Sequence, residues 1–194
     1  MKAKPAVASS VLAVLAIALT AGAVPAADDS DIDVHVRRNG NRIAVAVDLP
    51  VNATALETWN VMTDYNNMAK FVSNLEASKI VERNDNKLVV MQKGKATRGL
   101  LSFSFENVRE IILTPPSEVR SRMISGDLEA SEFTTRVIDH GESSQIINHG
   151  EFIPKVWIPP IIGPAVIEAE TRKQFAELRT EIMRRKAETA AGRQ

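Results

Sequence analysis

The stretch PAVIEAETRKQFAELRTEIMRRK, from Pro164 to Lys186, decides the fold of this chain. Apolar or small residues recur along it at intervals of four, four, three and four, which places them on one face of a helix. Proline suits the first helical position, because its missing N–H would have no partner there. The pattern predicts one long amphipathic helix, followed by a disordered tail at 187–194. Its apolar stripe consists of Ile167, Thr171, Phe175, Leu178 and Ile182.

Alternating sequence precedes this helix and predicts a partner for its stripe. Leu101, Phe103 and Phe105 alternate with polar residues, a period of two that is typical of a strand with one buried face. Asn39-Gly40 stands between two alternating runs, which favours a β-hairpin over the alternative of a mobile arm. Further candidate strands follow at hairpin spacing: Ile80–Arg83, Leu88–Gln92, Val119–Ser125, Phe133–Ile138 and Gln145–Phe152.

A short helix is predicted between the hairpin and these strands. Thr54 and Glu57 have the spacing of a capping box, in which each side chain accepts a hydrogen bond from the other residue's backbone N–H. The polar run 64–67 interrupts the helix, and one further helical turn follows. Together the elements predict an α+β architecture, with a curved antiparallel sheet wrapped around the long C-terminal helix.

The N-terminal segment has the order of a secretory signal peptide. Two lysines precede an apolar run at Val11–Leu19, and small residues then lead to Ala26. This order predicts cleavage after Ala26, with Ala23 as the second choice, and therefore a periplasmic protein. The predicted organisation is a signal peptide at 1–26 and one folded domain at 27–186. An uncleaved membrane anchor is the alternative, because the uncharged stretch approaches the roughly 20 residues that span a bilayer.

Composition excludes several classes of protein. No Cys occurs among the 194 residues, so neither a disulfide framework nor a thiolate metal site is possible. Lys and Arg number 24, as do Asp and Glu, and the formal net charge is zero. Nucleic-acid-binding proteins usually carry a basic excess, so we expect no nucleic-acid partner.

Residues suited to catalysis or metal binding are sparse. His35, His140 and His149 lack the spacing of a metal site, so we expect neither a metal nor a cofactor. Asp64 and Tyr65 could form an acid–base pair. We favour a simpler interpretation, in which the aspartate bridges a break between helices and the tyrosine ring packs in the core.

Two arginines on one candidate strand allow two interpretations. If Arg120 and Arg122 face inward, they could bind an anionic head group. If Val119, Ser121 and Met123 face inward instead, the arginines are exposed to solvent, because alternation forbids both sets from facing the same side. We favour the exposed arrangement.

The stretch Val61–Glu82 carries a family resemblance. It resembles the START-like superfamily, and more closely the polyketide cyclase/dehydrase and coenzyme-Q-binding branch. That branch typically has an Asp-Tyr pair followed by Phe, Leu and Ser before a strand, and the corresponding residues here are Asp64-Tyr65, Phe71, Leu75 and Ser78.

Later motifs match the same branch in order, so that the resemblance covers roughly Ile43 to Arg185. They are Pro115-Pro116, Gly126-Asp127 and Glu177–Ile182. The family often has proline where Ser73 stands here, which predicts a less rigid entrance loop.

This resemblance implies a helix-grip fold with a cavity between the long helix and the sheet. Members of the superfamily are known to hold lipids, quinones, sterols, polyketides or plant hormones. A few cyclise polyketides, and others act on protein or ribosome partners. The fold does not choose among these activities.

We expect aromatic residues of the inward-facing elements to line the cavity. Two polar strand residues could orient a polar end of the ligand, or could instead face solvent. The candidate ligand-binding residues are Trp59, Tyr65, Phe71, Gln92, Phe103, Phe105, Met123, Phe133, Asn148, Phe152, Trp157 and Phe175. None is assigned a catalytic role.

Three functions are compatible with these observations. The preferred one is an exported, non-catalytic carrier of a hydrophobic small molecule or lipid. The first alternative is a polyketide cyclase/aromatase-type enzyme. The second is a cell-envelope protein-interaction module, which could include a peripheral membrane contact and which an exposed apolar run at Trp157–Ile162 would favour. No oligomeric state is predicted.

Overall fold

An eight-stranded antiparallel sheet is the scaffold of the computed structural model, which describes residues 31–98, 101–155 and 163–192. The order across the sheet is β1-β2-β8-β7-β6-β5-β4-β3, so the N-terminal hairpin lies beside the last strand. The strands are β1 (Asp33–Asn39), β2 (Arg42–Val51), β3 (Leu75–Asn84), β4 (Lys87–Arg98), β5 (Leu101–Thr114), β6 (Glu118–Gly126), β7 (Leu128–Asp139) and β8 (Ser144–Pro154).

The predicted N-terminal hairpin is confirmed. β1 and β2 pair antiparallel, and Gly40 adopts φ +62° in the turn between them, a conformation that glycine accepts without strain. Alternate residues of β2, from Ile43 to Val51, are buried, so the hairpin contributes one apolar face to the core.

The first helix, α1 (Ala55–Met62), begins at the predicted capping box. The Glu57 backbone N–H donates to Thr54 Oγ1 at 3.3 Å, and the Thr54 backbone N–H donates to Glu57 Oε2 at 2.9 Å. The helix ends where Asp64 begins the polar run, and a single 3₁₀ turn at Met68–Lys70 follows. Capping therefore sets the start of α1 as the sequence indicated.

The long C-terminal helix, α2 (Gly163–Ala191), carries the predicted stripe. Leu178 and Ile182 are buried, whereas the more N-terminal Ile167 and Phe175 are only partly buried. The helix continues past its predicted end at Lys186, so residues 187–191, predicted as tail, are helical. Helical hydrogen bonding extends this far, because the Gly192 backbone N–H donates to the Glu188 carbonyl oxygen at 3.0 Å.

The hydrophobic core lies between the inner face of the sheet and the two helices, as the helix-grip prediction requires. Residues of α1 and α2 join the inward-facing residues of the strands in one cluster. None of the helices within the described residues is both long and apolar enough to cross a membrane. The predicted signal peptide, 1–26, lies outside the described residues.

Candidate functional site

The inner face of β5 changes character along the strand. Ile111 and Leu113 face inward and are buried in the core. The same alternation continues through Arg109 and Asn107 to Phe105. On the neighbouring β4, Arg109 pairs with Val90, Asn107 with Gln92 and Phe105 with Gly94, which are inward positions of that strand. The inward side of β5 is therefore apolar at one end and polar in its middle.

Arg109 is the central polar group of this inner face. Its Nη2 donates to Ser131 Oγ of β7 at 2.5 Å, and its guanidinium lies over the Phe133 ring, 5.7 Å from the centroid. Its Nε is shielded from solvent and has no hydrogen-bond partner among the described residues. No carboxylate within that part of the chain pairs with this cation, which is unusual for an arginine that is only partly exposed on the inner face of a sheet.

Tyr65 joins this group from the polar run after α1. Its side chain is only 8% exposed and packs in the core cluster. Burial raises the pKa of the Tyr65 hydroxyl, and the positive charge of Arg109 offsets only part of that rise. Burial lowers the pKa of Arg109, and Tyr65 acts in the opposite direction. At neutral pH Tyr65 is therefore a neutral phenol within the electrostatic influence of the Arg109 cation.

The connection that carries Tyr65 is tied to α2 at two points. Arg185 donates to Asp64 Oδ2 at 2.9 Å and lies over the Phe71 ring, 5.6 Å from the centroid. The Ser73 backbone N–H donates to Glu177 Oε2 at 2.9 Å. A proline at this position would lack that donor, so serine here attaches the loop to the helix.

Most candidate ligand-binding residues lie on the inner side of the fold. Trp59 and Tyr65 belong to the buried core, and Phe71, Phe133, Phe152 and Phe175 pack against it while remaining partly exposed. Phe105 and Met123 are also partly exposed at inward strand positions. Phe103 belongs to β5, but its side chain lies outside the described part of the structure, as does the whole of Trp157.

The two polar candidates face inward and bond to the protein itself. Gln92 Nε2 donates to Ser78 Oγ at 3.3 Å and to Met68 Sδ at 3.4 Å. Asn148 Oδ1 accepts from Thr135 Oγ1 at 2.8 Å. Both side chains are therefore engaged in contacts that a ligand would have to replace.

Sequence reasoning missed Arg109, the most distinctive group of the site. It weighed the arginines of β6, which are exposed and pair with glutamates: Arg120 with Glu118 at 2.7 Å and Arg122 with Glu110 at 3.1 Å. The signal that could have found Arg109 was its phase, because it lies four residues after Phe105 and therefore on the same face of the strand.

The outer face of the sheet holds a groove of about 380 Å³ across β5 to β8. It contains the paired arginines of β6 and His149, which is exposed. Because Glu110 is shared by Lys87 at 2.6 Å and Arg122, its charge is already balanced. The arginines of the groove therefore pair with carboxylates, whereas Arg109 on the inner face has no carboxylate partner among the described residues.

Comparison with known sequences gives one family match. The sequence model of a family described as polyketide cyclase/dehydrase and lipid transport matches residues 51–147, half of the chain. This span contains α1, the Tyr65 connection and strands β3 to β7, and thus Arg109, Ser131 and Phe133. No curated protein matches the sequence.

Solved structures share the fold at low sequence identity. The Zhui aromatase/cyclase from Streptomyces sp. R1128 has 17% identity and a TM-score of 0.62, covering 78% of this chain and 96% of that one. A STAR-related lipid transfer protein from Xanthomonas axonopodis has 12% identity and a TM-score of 0.66, covering 79% and 94%. A START superfamily protein from Mycobacterium smegmatis has 11% identity and a TM-score of 0.63, covering 73% and 97%. These likenesses show the helix-grip fold.

Proposed function

Because the chain belongs to the polyketide cyclase/dehydrase and lipid transport family, we propose that it is a carrier for a hydrophobic small molecule or lipid that bears a carboxylate or carbonyl oxygen. The ligand would lie on the inner face of the sheet, with its oxygen at Arg109. The observation that carries this proposal is the inward-facing Arg109, which has an unfilled Nε and no carboxylate partner among the described residues.

Aromatic side chains near this cation supply the apolar part of the site. Phe105, Phe133 and Phe152 face inward but remain partly exposed, and so does Phe175 of α2. Inward aromatic surface that the protein does not fully cover can be covered by an apolar ligand, which is favourable at about 25 cal/mol for each Å² removed from water. Ile167, in the N-terminal half of the α2 stripe, is likewise only partly buried.

Arg109 explains why the ligand should carry an oxygen acceptor. Transferring a charge out of water costs free energy unless a counter-charge or hydrogen bonds compensate. Ser131 and the Phe133 ring compensate in part, but Nε–H still points to no acceptor within the described residues. A carboxylate or carbonyl oxygen of the ligand would accept a charge-assisted hydrogen bond from this Nε–H.

Extraction and ligand titration together test this proposal. The purified mature protein would be extracted into organic solvent and analysed by mass spectrometry, and cis-parinaric acid, a fluorescent fatty acid, would be titrated into the delipidated protein. We expect Arg109→Met to weaken its binding by tenfold or more, because one charge-assisted hydrogen bond is lost.

The matched control is Arg122→Met, which removes an arginine from the outer face of the neighbouring strand. We expect this variant to bind the probe as the wild type does, since Arg122 is exposed and pairs only with Glu110 among the described residues. Absence of a co-purifying ligand, together with equal binding by both variants, would contradict the proposal.

A cyclase-type enzyme is the second candidate, and the Tyr65–Arg109 pair is what favours it. An arginine can polarise a ligand carbonyl and stabilise the enolate that forms beside it. A phenol that stays protonated at neutral pH can donate its proton to the alkoxide that forms when the enolate carbon attacks a second carbonyl, while solvent water takes up the α-proton lost in forming the enolate and later reprotonates the phenol. The pair would therefore support an intramolecular aldol closure followed by loss of water.

Tyr65→Phe separates the two candidates. A synthetic poly-β-ketone thioester would be incubated with wild type and variant, and cyclised products would be followed by mass spectrometry. An enzyme would lose roughly 100-fold in cyclisation rate without the hydroxyl while retaining binding. A carrier would cyclise the thioester no faster than buffer does.

Export to the periplasm is part of the same proposal. Its support is the order of two lysines, an apolar run and small residues before Ala27. The test is the intact mass of the protein in the periplasmic fraction of a bacterial host. We expect a chain that begins at Ala27, and a full-length chain retained in the membrane fraction would favour the anchor instead.

A further inference from the structure

Three polar atoms on the inner face of β5 and β6 have unmet hydrogen-bonding capacity. Asn107 Oδ1, Arg109 Nε and Ser121 Oγ are each shielded from solvent, and each lacks a hydrogen-bond partner within the described ranges. Asn107 and Arg109 are two residues apart on one face of β5, which separates their Cα atoms by about 7 Å. Ser121 belongs to β6, opposite Ile111.

Asn74 Oδ1, just before β3, is also without a hydrogen-bond partner within the described ranges, whereas other interior polar groups are paired. Asn148 bonds to Thr135, and Thr58 Oγ1 and Ser144 Oγ lie 2.8 Å apart in a buried hydrogen bond. Buried polar groups normally find partners, because leaving one unsatisfied costs free energy. Three unsatisfied groups in one patch beside accessible aromatic surface therefore indicate a surface shaped for an external polar partner.

The chemical types of these atoms define what that partner must offer. Arg109 Nε–H is only a donor, so it requires an acceptor. Asn107 Oδ1 is only an acceptor, so it requires a donor. The Ser121 hydroxyl can serve in either role. A molecule with a single carboxylate, such as a plain fatty acid, would satisfy Arg109 and leave Asn107 unsatisfied.

We propose that this site selects hydrophobic molecules that carry both an acidic or carbonyl oxygen for Arg109 and a separate hydroxyl donor for Asn107. The proposal rests on the function proposed above and narrows its ligand to hydroxylated, preferably aromatic, acids. The aromatic body would lie against Phe105 and Phe133, which flank the polar patch on β5 and β7.

Naphthalene derivatives form a matched set of probes for this inference. Calorimetric titration would compare 6-hydroxy-2-naphthoic acid with 2-naphthoic acid, which lacks the hydroxyl, and with 2-naphthol, which lacks the acid. We expect the hydroxy acid to bind about tenfold more tightly than either, because a site with unpaired polar groups discriminates against an analogue that leaves them unpaired.

Two variants assign the preference to residues. Asn107→Leu should remove the advantage of the hydroxy acid over 2-naphthoic acid, and Arg109→Met should remove its advantage over 2-naphthol. Ser104→Ala, on the exposed outer side of the same strand, serves as the control and should change neither ratio. Should Asn107→Leu fail to fold, the comparison of probes on the wild type still decides the question.

The outcomes distinguish this inference from the proposed function. Equal binding of the hydroxy acid and 2-naphthoic acid by the wild type would overturn the inference, while Arg109-dependent binding of the acid would leave the proposed function standing. If neither acid binds more tightly than 2-naphthol, the anion-binding role of Arg109 is wrong and both proposals fail.

Discussion

Gly150 occupies a point where β8 passes β7 too closely for any side chain. A Cβ built there would lie 2.2 Å from the Glu132 carbonyl oxygen and 2.6 Å from the Phe133 Cα. Both neighbours belong to the backbone of β7, so neither can move without disturbing the pairing of the strands. Gly150 therefore allows the close pairing of β8 with β7 at Phe133, the residue whose ring lies against the Arg109 guanidinium.

We expect Gly150→Ala to lower the free energy of unfolding by about 2 kcal/mol or more, because the added methyl forces the two strands apart. Gly192→Ala is the control, since its nearest neighbour would lie 3.5 Å away, an ordinary contact. Urea denaturation of both variants measures the difference. Equal stability would mean that β8 shifts freely and that its close approach is unimportant.

At the residue scale, the inward orientation of aromatic strand residues was predictable, and the inward orientation of an arginine was not. Alternation placed Phe105 and Phe133 inward correctly, because apolar side chains at one phase of a strand need a core. Arg109 has the same phase, but local hydropathy assigns any arginine to solvent. Only the long-range pairing that brings Ser131 beside it shows how the sheet accommodates the cation.

At the scale of elements, the connection between α1 and β3 depends on α2 for its position. Glu177 accepts from the Ser73 backbone N–H, and Arg185 holds Asp64 near the start of the same connection. Tyr65 lies between these anchors in sequence. The helix therefore influences the site through the loop as well as through its own apolar stripe.

Replacing Ser73 tests this attachment. Ser73→Pro removes the N–H that Glu177 accepts, whereas Ser73→Ala keeps it, so we expect the proline variant to be less stable by about 1 kcal/mol. In a Glu177→Ala background the difference should disappear, since the acceptor is absent. Chemical denaturation of Ser73→Pro and Ser73→Ala, each with and without Glu177→Ala, measures this difference in stability. A more stable proline variant would show that loop entropy outweighs the bond.

Glu181 of α2 predicts how stability depends on pH. Hydrogen bonds from Arg184, at 2.6 and 2.8 Å, and from Arg185, at 2.7 Å, lower the pKa of Glu181 from 4.5 to about 2. Because the folded state has the lower pKa, the stabilisation is complete above pH 4.5 and is lost as pH falls towards 2.

We expect this carboxylate to contribute up to about 3 kcal/mol to the free energy of unfolding at neutral pH. Urea denaturation between pH 2 and pH 6 should show stability rising with pH in the wild type and a flatter rise in Glu181→Gln. Parallel curves for the two proteins would assign the acid sensitivity to other carboxylates.

Element types were predictable where the local signal was strong, and element ends were not. The capping box set the start of α1, and Asn39-Gly40 set the first hairpin, because both depend on backbone hydrogen bonds between near neighbours. The end of α2 at Ala191 was missed, since the apolar stripe stops at Ile182 while side-chain pairs such as Arg184–Glu188 extend the helix further.

For the whole molecule, the order of elements and the family resemblance together predicted the helix grip. They did not predict how α2 is distributed over the sheet, with Leu178 and Ile182 buried while Ile167 and Phe175 stay partly exposed. That difference arises from packing between residues far apart in sequence. It bears on the proposed function, because Phe175 stays partly exposed in the less covered half.

The place of the N-terminal hairpin beside β8 has a consequence for the order of folding. β3 to β7 pair with sequence neighbours, whereas β2 must find β8, about a hundred residues away, as in the pair Val45 and Gly150. Contacts that close so long a loop are costly early on, so we expect the hairpin to join last.

Two matched variants would reveal that order. Val90→Ala on β4 should slow folding, because its local hairpins form before the rate-limiting step, whereas Val45→Ala on β2 should mainly accelerate unfolding. Both valines are buried, at 1% and 5% exposure, so the lost apolar volume is the same. Stopped-flow refolding measures both rates. In a chain synthesised from its N-terminus, the outer edge of β2 would thus have no partner strand until β8 is made.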